Sequence, residues 1–417
     1  MEKQKKLIIV VGGGFGGISF AKEIDTDLFD IILIDKHNHH QFQPLFYQVA
    51  TSQIEPSSIS FPLRYIFRRK KDIQIRLASV NSVDVLNNKL NTSIGDFTYD
   101  YLVLAMGCRT NFFGNEEISR HALTLKSTYD AITIRNRILE NFENIINAPD
   151  SEKEELLNIV IVGAGPTGVE LAGSFSEIKT NILPRDFHRI NFSKLRILLI
   201  EGSNNTLNSM SVKSQKDSRR YLEKLGVEII TNTNVKSYNG KILTTASGEE
   251  IKTKIVIWAA GVIANPISGI AKETIRRGNR LKVDRINKLD GSNNIFVIGD
   301  MAYMETPLYP SGHPQLANVA NVQGKKLAQN LKRIEFGKPT IEYEYKDLGT
   351  MATVGKNKSV VDLPHLHIRG FLAWVIWMFL HLMLILSVRN KLIVFINWMW
   401  AYITKNTALR IILKDNK

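Results

Sequence analysis

Short apolar runs that end on glycine set the rhythm of this chain. Residues 7-LIIVV-11 are apolar throughout, mostly β-branched, and run into glycines, as a strand buried in a parallel sheet does. A helix follows from about Gly17, and 30-DIILID-35 predicts a second strand, closing a strand–helix–strand unit. Residues 37–62, with Pro44, Pro56 and Pro62, read as irregular. Strands are predicted at 73–78 and 100–107, then a helix over 124–147 that Pro149 and Asp150 close. The rhythm begins again at 158-NIVIVGAG-165, whose partner strand is 195-LRILLIEG-202, with 179–194 inserted between them. Runs at 227–231, 254–262 and 294–300 supply further strands.

Alternating strands and helices of this kind give the α/β class. The pattern predicts two Rossmann-like dinucleotide-binding domains, the second inserted into the first. Residues 1–113 and 284–335 form the discontinuous domain, because 294-NIFVIGD-300 reads as its last strand, and 114–283 form the inserted one. Residues 336–417 make a C-terminal region with apolar helices. In it, 371–388 contains only His381 and Ser387 as polar residues, the lower limit of what spans a bilayer. Arg389, Asn390 and Lys391 break that run, and 392–403 is too short to span. Trp374, Trp377, Trp398 and Trp400 lie in these two runs, and indoles favour the headgroup level of a membrane.

Composition narrows the class of partner. The chain has 417 residues, 44% hydrophobic and 23% charged, which is globular rather than disordered. A net charge of +14 raises nucleic acid as a partner, yet the basic residues form no aromatic-interleaved stripe. They outnumber acids most in 364–417, where Arg369, Arg389, Lys391, Lys405, Arg410, Lys414 and Lys417 face Asp415 alone. A basic and apolar tail suits an anionic lipid surface, so no nucleic acid is expected. The single cysteine, Cys108, excludes an intramolecular disulfide and any relay through a thiolate pair. The start, MEKQKKLIIVV, carries too short an apolar run for a signal peptide.

The chemistry concentrates in two glycine loops. Gly12, Gly14 and Gly17 stand at the spacing that allows a tight turn, close approach of a pyrophosphate, and strand–helix packing. The helix N-terminus offers free amides to the phosphates, and Asp35, ending the next strand, is placed for a ribose 2′-hydroxyl. Gly163, Gly165 and Gly168 repeat the pattern, with Glu201 as the acid, delayed by the 179–194 insertion. A carboxylate there favours NADH over NADPH because it repels a 2′-phosphate. Two cradles suggest two nucleotides, a resident flavin and an exchangeable nicotinamide. Asp300, in 299-GD-300, is either an acid for the flavin's ribityl hydroxyls or a helix cap. His37, His39 and His40 have the look of metal ligands, but ligation needs converging geometry and no metal is expected.

These stretches resemble the type II NADH dehydrogenases, the single-subunit FAD-containing NADH:quinone oxidoreductases of respiratory membranes. The resemblance rests on 12-GGGFGG-17, 38-NHHQFQPLFYQVAT-51, 102-LVLAMG-107, 162-VGAGPTGVELAG-173, 258-WAAGV-262, 294-NIFVIGD-300 and the tryptophan-rich tail, and it covers nearly the whole chain. It implies that FAD is held by Gly12, Gly14, Phe15, Gly16, Gly17, Asp35, Lys36, Gln43, Gly107, Asp300, Ala317 and Ala320. It implies NADH at Gly163, Gly165, Pro166, Thr167, Gly168, Glu201 and Gly261, with Glu170 as the acid near the reacting rings, orienting or tuning rather than indispensable. It also implies a membrane quinone as acceptor, a monotopic seat on the cytoplasmic face of the inner membrane, no proton pumping, and a possible homodimer.

One stretch departs from the family. Its quinone-side motif AQxAxQ is replaced by 317-ANVANV-322, so that Asn318 and Val322 stand for the two glutamines, although Gln323 follows. Arg369 is a candidate for the quinone mouth or for a snorkelling membrane anchor. The departure leaves two other readings open, a reductase for a different acceptor and a membrane-bound flavoprotein that senses NADH. Sulfide:quinone reduction is a weaker version of the first, since that chemistry uses several cysteines.

Overall fold

The computed structural model describes residues 5–188, 190–407 and 409–413; residues 1–4 of the expected N-terminal run and the expected tail charges Lys414, Asp415 and Lys417 lie outside the described residues. The chain forms two compact units, Met1–His40 with Phe61–Arg109 and Val262–Lys346, and Gln41–Ser60 with Thr110–Gly261 and Asp347–Lys417. These units cut the chain elsewhere than the expected limits. Residues 41–60 and the tail belong with 110–261, and buried hydrogen bonds tie them. The Trp398 indole donates to Gln48 at 2.7 Å, and the Asn390 amide donates to the carbonyls of Ser57 and Ser58 at 3.0 Å.

The first unit is built on a five-stranded sheet in the order Ile295–Val297, Tyr101–Leu104, Lys6–Val11, Phe29–Asp35, Ile73–Leu77. Every pairing is parallel. The returning strand at 295–297 therefore sits where the sequence placed it. Alternate residues feed two cores. Ile9, Val11, Ile32 and Leu102 face one, while Ile8, Val10, Ile31 and Val103 face the other, beside the helices Phe15–Glu23 and Ala317–Glu335. Burial on both faces is why these strands read as unbroken apolar runs.

The second unit carries a four-stranded parallel sheet, Glu228–Ile230, Arg196–Ile200, Asn158–Val162, Ile255–Trp258. Its main helices include Thr128–Ile145, capped by the Ser127 hydroxyl, and Pro166–Asn181. Asp150 does not close the first of these. Pro149 stands before a new helix, Asp150–Leu157, whose first turn gains from acids at its positive end. The expected insertion is partly an extension of the cradle helix, followed by the short turns Leu183–Asp186 and Phe192–Lys194. The 37–62 stretch, expected to be irregular, contains a short α-helix, Phe46–Ala50, the 3₁₀ turns Gln43–Leu45 and Pro56–Ser58, and the short strands His39–Gln41 and Ser60–Pro62.

The tail begins with an antiparallel meander, Thr350–Gly355, Lys358–Leu363, Leu366–Gly370, and continues as helices Phe371–Leu384 and Val388–Thr404. The apolar run 371–388 is thus not one helix, since Ile385 turns to extended geometry and buries its side chain. Arg389, Asn390 and Lys391 start the second helix rather than break it, because Asn390 is anchored to Ser57 and Ser58. Among the described residues no helix is long and apolar enough to cross a membrane.

Candidate functional site

In the first unit the chain leaves its central strand through Gly12 at φ +109°, a conformation glycine tolerates. A Cβ on Gly12 would lie 2.3 Å from the Ala105 carbonyl oxygen, and one on Gly17 would lie 1.9 Å from the Gly12 carbonyl oxygen. Gly14 is different. Its backbone is extended and exposed, and an added Cβ would meet nothing. No side chain caps the helix that starts after it. That is a fit for a pyrophosphate. Asp35 closes the cradle: its carboxylate accepts from the Gly13 amide at 2.6 Å and the His37 amide at 2.7 Å. Burial pushes this carboxyl up, but the His37 side chain and the two amides together bring it below its ordinary value.

Other expected cofactor residues of this unit gather near the same turn. Phe15 meets the His40 ring edge-on at 5.0 Å, and the buried His40 lies 3.1 Å from the Gly13 carbonyl. His37 faces Asp35 and His39 faces Asn38, so the three histidines do not converge on one point. Lys36 is exposed. Gly107 has φ +66° and its carbonyl accepts from the Asn265 amide. Gly299, at φ +70°, turns the chain so that the Asp300 carboxylate receives the Cys108 thiol at 2.9 Å. The helix Ala317–Glu335 packs Ala320 against Gly16 and Gly299, and Gly324 against Gly16. Asn318 is half-buried and its amide reaches the Tyr345 hydroxyl at 3.5 Å, while Val322 is 37% exposed. Gln323 does not replace the missing glutamine. It is buried, and its carbonyl accepts from the Gly299 amide at 2.7 Å.

The second unit repeats the cradle's geometry. Gly163 has φ +102°, and a Cβ on it would lie 2.8 Å from the Ala259–Ala260 backbone. A Cβ on Gly168 would lie 1.9 Å from the Gly163 carbonyl oxygen, and one on Gly165 would meet nothing. Pro166 and Thr167 open the helix, both exposed, with proline at a position whose amide is unbonded in any helix. Glu201 accepts from the Ala164 amide at 2.6 Å and the Ser203 amide at 2.8 Å. Gly261, exposed at φ +89°, lies beside Phe113. Gln43 also belongs to this unit and is exposed at the start of a short turn.

Glu170 rises from the first turn of that second helix. It is half-buried, ringed closely by protein, and burial pushes its carboxyl up to about 8, against the weaker pull of the Thr353 amide and the Trp377 indole. The Thr353 contact is long, 3.5 Å, and the buried Trp377 N–H forms no full hydrogen bond. Gly173 brings the helix so close to the strand Thr350–Gly355 that a Cβ would lie 1.7 Å from the Val354 oxygen. Glu177, on the same face, accepts from the Lys356 amide at 2.5 Å, and burial raises its carboxyl too. Tyr47 lies within reach of both acids; burial, then the Glu170 charge, pushes its hydroxyl well up, and it accepts from the Gln48 amide at 2.9 Å. A cavity of about 490 Å³ adjoins this cluster, lined by Tyr47, Gln48, Thr353, Lys356, Trp374, Trp377 and Tyr402 among others.

Tyr47, Gln48, Thr353, Glu177, Trp377 and Trp398 were not foreseen as site residues, although Tyr47 and Gln48 lie in the 38–51 stretch and the tryptophans in the tail. Two of the four tail indoles are corrected outright. Trp377 and Trp398 are buried within the protein and serve Glu170 and Gln48, whereas Trp400 is 60% exposed. Arg369 lies on a strand, and its guanidinium donates to Asp217 at 2.8 Å, next to His367 on the same carboxylate. A charge so partnered is held in place by the protein.

Comparison with known proteins agrees with this geometry. Residues 6–324 match the pyridine nucleotide-disulphide oxidoreductase family, and 348–405 match the NDH2 C-terminal domain. A type II NADH:quinone oxidoreductase of Mycobacterium tuberculosis is 32% identical over 95% of this chain and 88% of its own length. A second from the same organism is 33% identical over 94% and 86%. Among solved structures, NDH2 from Plasmodium falciparum in complex with NADH superposes with a TM-score of 0.89, at 21% identity, covering 99% of this chain and all of that one. The sulfide:quinone oxidoreductase of Aquifex aeolicus shares the fold at a TM-score of 0.73 and 19% identity, covering 96% of each chain.

Proposed function

The chain belongs to the type II NADH:quinone oxidoreductases, and from that premise we propose that it oxidises NADH and reduces a membrane quinone, with FAD resident in the first cradle and NADH visiting the second. The observation that carries the reading is the doubled cradle, each half with an open glycine and an acid on the turn amide. FAD, when bound, supplies the two-electron relay, taking hydride from NADH and passing the electrons on to the quinone. The protein's share is binding and positioning. Gly12 to Gly17, Asp35, Gly107 and Asp300, with Ala317 and Ala320 on the facing helix, would shape the FAD site. Gly163 to Gly168, Glu201 and Gly261 would shape the NADH site. The carboxylate of Glu201 supports NADH over NADPH, because it accepts from a free 2′-hydroxyl and repels a 2′-phosphate. Glu170 retains its proton at neutral pH, so it presents a neutral, hydrogen-bonding carboxyl at Oε1 rather than a charge.

Two features support delivery of the quinone from lipid. The cavity beside Tyr47 and Trp377 is walled by both tail helices. Those helices expose Phe371, Leu372, Phe379, Leu384, Ile396 and Ile403, apolar side chains of the kind that mark a membrane or partner surface. The reading is a monotopic seat on the cytoplasmic face of the inner membrane, with Arg389 and Lys405 toward anionic headgroups. A homodimer formed through the same apolar face is the competing use of it. Phe379→Glu combined with Ile396→Glu should free the protein from vesicles containing anionic lipid while its flavin content stays unchanged. A protein that still sediments with the vesicles would refute the seat.

The altered 317–322 stretch bears on the choice of acceptor. Asn318 and Val322 offer a shorter amide and none where the family motif has two glutamines. Steady-state NADH oxidation with menaquinone and ubiquinone analogues tests the function. Turnover with at least one of them is expected. Flavin reduction without quinone turnover would shift the reading to another acceptor or to NADH sensing.

A further inference from the structure

A second cavity of the same unit lies apart from Glu170 and has a different chemistry. It encloses about 540 Å³ and is walled by Ile138, Leu139, Phe142, Phe175, Leu183 and Ile412, among others. Two arginines enter it. Arg410 is saturated by the protein: its guanidinium pairs with Asp186 at 2.6 and 3.1 Å and also reaches the Asn406 side chain at 2.9 Å. Arg135 is not. It is only 3% exposed, and its Nε and Nη2 have no hydrogen-bond partner. Among the described residues no ion pair reaches it either, and burial pulls its pKa down. Of the cavity's two acids, Asp186 is taken by Arg410, and Glu143 is exposed and forms no ion pair with Arg135 among the described residues.

A buried guanidinium without a counter-charge is costly, because removal from water is offset only by charge-assisted hydrogen bonds. The helix Thr128–Ile145 holds Arg135 with Ala131, Ile134, Ile138 and Phe142 on its buried side, so the side chain does not swing out to water. Thr51, Ser52 and Thr407 lend the lining polar partners for water, but among the described residues no acid of the lining pairs with the guanidinium. The arrangement asks for a ligand with a charged end and an apolar body. The volume falls within the range of small-ligand sites, roughly 300–1,000 Å³. Ile411 and Leu413, on the segment that flanks the cavity, are about half exposed, which provides an apolar way out.

We propose that this cavity binds a single-chain amphiphile with an anionic head, a carboxylate or a phosphate, whose head accepts from Nε and Nη2 of Arg135 in the two-pronged manner guanidinium favours. The chain of the ligand lies along Ile138, Leu139 and Phe142. No glycine or strand-end acid of the second unit's nucleotide cradle lines it. Thr51 lines this cavity and the one beside Tyr47, so the amphiphile rests against the segment that carries Tyr47 and Gln48.

The test uses the full-length flavoprotein in nanodiscs of zwitterionic lipid, titrated with laurate, dodecyl phosphate, dodecanol and inorganic phosphate and followed by thermal unfolding. Laurate or dodecyl phosphate should raise the midpoint by several degrees, while dodecanol and inorganic phosphate should not. Arg135→Met should weaken that binding about tenfold or more, as loss of a charge-assisted pair does. In the absence of amphiphile the same variant should melt at or above the wild type, since it deletes an unpaired buried charge. If Arg135→Met does not fold, Leu139→Trp, which fills the cavity and keeps the arginine, should abolish the laurate shift. Equal shifts with dodecanol, equal shifts with inorganic phosphate, or a laurate shift unchanged in both variants would each overturn the assignment.

Discussion

Residue for residue, Ser19 in the first cradle corresponds to Glu170 in the second. The two loops share their turn glycines, their open glycine and a carboxylate held 2.6 Å from a turn amide. Beyond the last glycine they diverge. Ser19 donates to Asn321 at 2.7 Å and so fastens its short helix to Ala317–Glu335. Glu170, on a helix of 16 residues, instead faces Thr353 and Trp377 and holds a proton at neutral pH. On the proposed reading, the shared part of the motif is the nucleotide cradle. The side chain two residues past the last glycine decides whether the helix is fastened or faces Thr353 and Trp377.

The largest effects should come from the glycines that the turn requires. Gly17→Ala and Gly168→Ala each drive a Cβ onto a backbone oxygen that cannot yield, costing about 3 kcal/mol or more. Gly17→Ala should lose bound FAD, while Gly168→Ala should keep it and lose NADH-dependent flavin reduction. Gly14→Ala and Gly165→Ala meet no protein atom. They should leave the melting temperature nearly unchanged and still weaken their nucleotide, which calorimetry and flavin content would separate. Equal destabilisation at all four positions would end the distinction between turn and open glycines.

Smaller effects should follow from the acids. Glu201→Ala removes a charge-assisted acceptor, worth about 1.5–3 kcal/mol, so KM for NADH should rise about tenfold or more while FAD stays bound. Preference for NADH over NADPH should shrink in the same variant. An unchanged KM would remove Glu201 from the nicotinamide site.

Glu170→Gln is the mildest of the set and is read best against pH. The folded carboxyl titrates at about 8 and the ordinary one at 4.5, so the native state binds a proton that the unfolded chain has released. The stability this group contributes is full below the lower value and is lost as pH rises through the higher one. Glutamine keeps the neutral form at every pH. The variant's melting temperature should therefore fall less between about pH 5 and pH 8 than the wild type's, with NADH reduction of the flavin within about threefold, since the transfer needs positioning rather than an acid. Parallel pH profiles of the two proteins would contradict the buried neutral carboxyl.

The same contrast explains what could be read from sequence. Glycine spacing, strand runs and strand-end acids are local, so both cradles, Asp35 and Glu201 were legible before any coordinates. The tail was not. An apolar, tryptophan-rich run looks alike whether lipid or protein covers it, and only the fold joins Trp398 to Gln48 across 350 residues. For the same reason Gln323, adjacent to a motif that lacks its glutamines, gave no sign that its amide is spent on Gly299. Arg369 read as a membrane or quinone charge because Asp217, its partner, is distant in the chain. The unpaired state of Arg135 has no sequence signature at all.

The most direct measurement is an anaerobic titration of the purified full-length protein with NADH, followed by addition of a quinone analogue. The account predicts one FAD per chain, loss of its visible absorption on adding NADH, and recovery on adding the quinone. Protein without FAD, or FAD whose absorption NADH leaves unchanged, would contradict it.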